Sequence, residues 1–154
     1  MPIEALSHIG ICVADLPRST AFYRDALGFT EVHRMDVRGG DAERLLELDD
    51  VTLEAVYLER DGTVIELLHY ESPGHVTHDA PRPMNRVGLT HLSLRVTGFD
   101  AVLDSIEAHG GRVLRDTDTR REEYGMAVVF VTDPDGLRIE LLQAPGDPKK
   151  LPGT

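Results

Sequence analysis

The chain writes one pattern twice. His8 opens HIGICVADLPRSTAFYRDALGF and His91 opens HLSLRVTGFDAVLDSIEAHGGR; at this spacing of 83 residues Val13 falls on Val96, Leu16 on Phe99 and Gly28 on Gly111. A second word, DGTVIELL from Asp61 and DGLRIELL from Asp135, repeats at 74 residues, so the first copy is the longer by about nine. Two long copies do not make a solenoid, which stacks many short ones. Two related halves are the economical reading, and 154 residues are enough for both to share one real core.

Each half carries the same local signals. Ile9, Ile11 and Val13, like Leu92, Leu94 and Val96, alternate with residues of another kind, the period of a strand with one buried face. Asp15-Leu16-Pro17 is a helix start with a capping Asp and an early Pro, and the helix through Ser19 to Leu27 ends at Gly28. Its counterpart spans about Phe99 to His109 and stops at Gly110-Gly111. Further strands are expected at 29–37, 44–49, 51–60 and 63–70, and at 112–116, 125–133 and 136–143. Asp61-Gly62 and Asp135-Gly136 mark hairpin turns between the last two strands of each half. The expected class is α+β, two βαβββ modules in tandem: 1–71, a Pro/Gly/His-rich linker 72–86, 87–144, and a flexible tail 145–154.

Strand parity sorts the polar residues. His8, Gly10 and Cys12 share the face opposite Ile9, Ile11 and Val13; His91, Ser93 and Arg95 share the matching face in the second half. Glu66 points away from Ile65 and Leu67, and Glu140 away from Ile139 and Leu141. If the aliphatic faces pack on the helices, two imidazoles and two carboxylates occupy the other faces. An unpartnered carboxylate on a half-buried sheet face costs several kcal/mol. One divalent cation ligated by all four would satisfy both glutamates, whereas a single His or Glu on an antiparallel sheet commonly just faces solvent.

Composition narrows the partners. A net charge of −11 without any Lys/Arg-rich run disfavours nucleic acid. No apolar stretch nears the roughly 20 residues of a membrane span, and the N-terminus lacks the pattern of a signal peptide. The lone cysteine, Cys12, excludes an intrachain disulfide; a cytoplasmic location is expected.

These motifs resemble the vicinal oxygen chelate superfamily: glyoxalase I, methylmalonyl-CoA epimerase, extradiol dioxygenases, fosfomycin-modifying enzymes and bleomycin-resistance proteins. HIGICVADLPRSTAFYRDALGF, GLTHLSLRV and FVTDPDGLRIELLQ carry the likeness, which covers roughly residues 5–144. The resemblance implies a sheet curled around a metal cleft, with His8, Glu66, His91 and Glu140 as ligands of one divalent ion per site, Ni, Co, Zn, Mn or Fe(II). It implies proton transfer next to a metal-held oxygen of a small-molecule substrate, as in a glyoxalase-type lyase or isomerase, with Glu140 the base and Glu66 its partner. The same likeness leaves an epimerase of the methylmalonyl-CoA kind, an extradiol dioxygenase and a non-catalytic drug-binding protein as alternatives. Glyoxalase I carries Arg four residues after its first ligand His, where Cys12 stands here, a departure that bears against glutathione as cosubstrate. Arg95, in the equivalent place of the second half, with Ser93 and Cys12, is a candidate substrate contact. A homodimer is expected, the two halves closing one cleft within a chain or exchanging across the dimer interface. His75 and His78 form an isolated HxxH in the linker, and His33, His69 and His109 have no partners by spacing.

Overall fold

The computed structural model describes residues 2–77 and 81–150. The chain divides into two units, Met1–Thr77 and His78–Thr154. His78 and the last four residues of the expected tail lie outside the described residues.

In the first unit Asp15 caps the first helix as its position suggests, its Oδ1 accepting the Arg18 amide at 2.9 Å. Strand β1 (Ile9–Cys12) leads into α1 (Leu16–Ala21), which runs on as a π-helical turn over Phe22–Ala26. Then come β2 (Thr30–Arg38), α2 (Gly40–Leu46), β3 (Thr52–Arg60) and β4 (Thr63–Ser72). The sheet order is β1-β4-β3-β2, with β1 parallel to β4 and the other pairs antiparallel. Asp61 and Gly62, both at positive φ, make the two-residue turn between Arg60 and Thr63. Val13, Val56, Leu58, Ile65 and Leu67 are nearly fully buried, as are Leu16, Phe22 and Tyr23 of the helix that packs on β3 and β4. Each such side chain contributes roughly 1.5–3 kcal/mol by leaving water.

The strand expected at 44–49 is absent; Gly40–Leu46 is helical instead. Ala42 joins Val51 and Leu53 in a second small core, with Val37, Leu46, Leu68 and Tyr70 packed against it. Because Leu53, Leu68 and Tyr70 share the face of Glu66, α2 roofs one end of that face with apolar contacts. Edge strand β2 is exposed almost throughout and charged, which discourages pairing with another chain. A register shift between Glu31 and His33 turns His33 onto the same face as Tyr57.

The second unit repeats the plan more loosely: β5 (Leu92–Arg95), α3 (Phe99–Ala108), β6 (Arg112–Val113), β7 (Thr119–Arg121), β8 (Met126–Thr132) and β9 (Arg138–Gln143). The order is β5-β9-β8-β6, β7 pairing with β8, and β5 runs parallel to β9. The strand expected at 112–116 stops at Val113, where a 3₁₀ turn over Arg115–Thr117 takes over. Phe99, Leu103 and Ile106 of α3 are buried, as are Val129, Val131, Ile139 and Leu141 of the sheet. Buried Asp133 shapes the β8–β9 connection: one oxygen, Oδ1, accepts the amides of Asp135 at 3.0 Å and Leu137 at 2.8 Å. No helix among the described residues is long and apolar enough to cross a membrane.

Candidate functional site

Parallel pairing of β1 with β4 sets Gly10 beside Glu66. A Cβ there would lie 3.3 Å from Leu68 Cδ1 and 3.8 Å from Glu66 Oε2. The structure brings His8 and Glu66 together, Nε2 to Oε2 at 3.2 Å, with the Glu66 side chain only 13% exposed. The other oxygen, Oε1, accepts a short hydrogen bond from the Tyr57 hydroxyl, since Tyr57 pairs with Glu66 across the β3–β4 ladder. The Tyr57 ring meets His8 edge-on at 5.5 Å and His33 at 5.7 Å. The row His33, Tyr57, Glu66, His8 thus crosses the whole sheet on one face. Its hydrogen bond to Glu66, then burial, then the Glu66 charge push the Tyr57 phenol up to about 12. Tyr70 on the same face is also raised, by burial first and then by Cys12 and Glu66.

In the second unit β5 pairs Ser93 with Glu140, and Ser93 Oγ donates to Glu140 Oε2 at 2.6 Å. Phe130, opposite Glu140 on β8, meets the His91 ring edge-on at 5.2 Å. Both histidines are preceded by a hydroxyl residue that engages Nδ1: Ser7 to His8 at 3.0 Å, Thr90 to His91 at 2.9 Å. With Nδ1 so occupied, Nε2 is the nitrogen each ring offers outward. Among the described residues no three His, Cys, Asp or Glu side chains gather to hold a metal.

The other candidates have their own places. Cys12 is exposed. Arg95 donates to tail carbonyls, Ala144 at 2.8 Å and Pro145 at 3.4 Å. His69 contacts the Val13 carbonyl and His109 that of Ser105, so both have backbone partners that spacing did not reveal. A groove of about 610 Å³ in the second unit is lined by Phe99, Arg120, Met126, Ala127 and Gln143 among others. Ala127 and Gln143 of its lining lie on the strand faces opposite Phe130 and Glu140. Sequence reasoning passed over Tyr57, Phe130, Ser7 and Thr90. A usable signal existed: a hydroxyl residue precedes each repeated His, and an aromatic stands nine or ten residues before each repeated Glu.

A family model described as the glyoxalase/bleomycin resistance protein/dioxygenase superfamily matches residues 5–141. The chain belongs to this superfamily. A relative from Synechocystis sp., a probable lactoylglutathione lyase, is 33% identical over 141 residues, 90% of this chain and 94% of its own. Among solved structures, a glyoxalase family protein from Bacillus cereus superposes with a TM-score of 0.79 at 19% identity, covering 95% of this chain and 99% of that one. A fosfomycin resistance protein from Listeria monocytogenes, crystallised with Mn(II) and sulfate, gives 0.61 at 18% identity, covering 96% and 98%. At these identities the two structures speak for the glyoxalase fold, and the tandem βαβββ arrangement expected from the repeat is the one observed.

Proposed function

We propose that this superfamily member is a divalent-metal-dependent lyase or isomerase of the glyoxalase type. His8, Glu66, His91 and Glu140 are the proposed ligands. The observation that carries the reading is the approach of His8 Nε2 to Glu66 Oε2 at 3.2 Å, each oriented by its own neighbour. Outer partners that fix a ligand's tautomer and rotamer are the usual companions of a metal site. Imidazole nitrogen with carboxylate oxygen suits Ni, Co, Zn, Mn or Fe(II). Such an ion, when bound, supplies Lewis-acid stabilisation of negative charge developing on a substrate oxygen. Support also comes from the lactoylglutathione lyase name of the Synechocystis relative and from the Mn(II) held by the fosfomycin resistance protein.

The chain's own residues then divide the work. Glu140 would take a proton from a carbon next to a substrate oxygen and return it to a neighbouring atom, so the reaction would be a net rearrangement. Glu66, His8 and His91 hold position. The substrate is a small metabolite with neighbouring oxygens. Cys12, where glyoxalase I carries Arg, favours a carrier other than glutathione.

The test is metal content by mass spectrometry, after reconstitution with each of the five ions, on wild type and H8A. Stoichiometric metal that is lost in H8A is expected. A wild-type protein that takes up none would overturn the reading in favour of a non-catalytic binding protein. E140Q should keep the fold while losing proton transfer; full activity would remove Glu140 from the role of base.

A further inference from the structure

The two modules hold their glutamates in opposite ways. In the first, the hydroxyl comes from the hairpin neighbour: Tyr57 donates to Glu66, and the parallel neighbour at that register is Gly10. In the second, it comes from the parallel neighbour: Ser93 donates to Glu140, and the hairpin neighbour is Phe130. The rings of Tyr57 and Phe130 stand in the same edge-on relation to His8 and His91, at 5.5 Å and 5.2 Å. What differs is one phenolic oxygen.

We propose that Tyr57 is a positioning residue, fixing Glu66 as a stationary metal ligand through its hydroxyl. This deepens the functional reading above and rests on it. The Tyr57 ring is wedged between His8 and His33, and its hydroxyl also lies 3.8 Å from Met35 Sδ, so the donor has little freedom to turn. A rigid aromatic donor on Oε1 leaves only Oε2 directed toward His8. Glu140 has no such clamp. Ser93 is exposed and its hydroxyl rotates about a single bond, which lets the carboxylate exchange that partner for another at small cost. The two glutamates therefore differ in the donor that holds them, a ring-borne phenol for Glu66 and a serine hydroxyl for Glu140.

Tyr57→Phe removes the oxygen and keeps the ring, so the contacts with His8 and His33 persist. Co(II) affinity is measured by competition with a chelator, alongside the visible absorption of the bound ion. Loss of an outer partner weakens metal binding roughly 10–100-fold, and a loss of that order with an altered Co(II) spectrum is expected for Y57F. In an E66A background, titrated to saturating Co(II), Y57F should cause no further loss, because Tyr57 acts through Glu66. Tight wild-type binding with an unchanged Y57F affinity overturns this inference and leaves the ligand assignment standing. An equal further loss in E66A also overturns it, because the effect would then be general. A wild type that takes up no Co(II) or other ion overturns the ligand assignment and this inference together.

Discussion

Replacing Asp133 should cost more than its place in a connection suggests. Its side chain is 2% exposed as a residue and spends one oxygen on two amides, those of Asp135 and Leu137. Backbone bonds tie the same turn, from Asp133 N to the Leu137 carbonyl and from Gly136 N to the Asp133 carbonyl. A hydrogen bond to a charged acceptor is worth about 1.5–3 kcal/mol, so these two together are worth about 3–6 kcal/mol. Asp135 is exposed and Leu137 half-buried, so water recovers part of the loss, and about 2–3 kcal/mol is expected for Asp133→Ala. In a chain of this length each kcal/mol lowers Tm by about 2–4 °C, giving a fall of roughly 4–12 °C. Asp133→Asn keeps an oxygen for the two amides while losing the charge and replacing the second oxygen with an amide nitrogen, so a smaller loss of about 1 kcal/mol is expected. Chemical denaturation of the three proteins gives both differences. The reasoning fails if D133A matches wild type within about 0.5 kcal/mol, or if D133N is as damaging as D133A. The connection also leads directly into β9, where a one-residue slip would move Glu140 to the helix side of the sheet.

Two further outcomes follow from single groups. Subtracting the alkaline absorbance titration of Y57F from that of metal-free wild type isolates the Tyr57 phenol, whose midpoint should lie near 12. A phenol raised in the fold binds its proton more tightly there, so the stabilisation from its bond to Glu66 is complete below the ordinary value of 10.0 and disappears as pH rises through about 12. A midpoint at the ordinary value would mean the bond is absent in solution. Thr20 Oγ1 is buried without a hydrogen-bond partner among the described residues, so Thr20→Val should raise stability by about 1 kcal/mol in thermal unfolding; a fall would mean the hydroxyl has found one.

The faces on which His8 and Glu66 stand were legible in the sequence. Period-2 alternation around His8 and Glu66 assigns their faces, and parity needs only the strand itself. The segment 44–49 was not legible in the same way. RLLELD is too short for its apolar residues to separate a strand from a helix. What decides is the pocket made by Val37, Val51, Leu53, Leu68 and Tyr70, which accepts Ala42 and Leu46 and leaves Leu45 81% exposed.

The repeat by itself determined the module, its duplication, and the faces on which two histidines and two glutamates stand, because side-chain direction along a strand is a local property. Which neighbour meets each glutamate was decided only by tertiary structure. Tyr57 reaches Glu66 because a two-residue turn sets that ladder, whereas Phe130 reaches Glu140 across the longer connection shaped by Asp133. Gly10 and Ser93 take their places through parallel pairings that join residues far apart in the chain. Register is a relation between strands, and the chemical difference between the two glutamates arises from that relation.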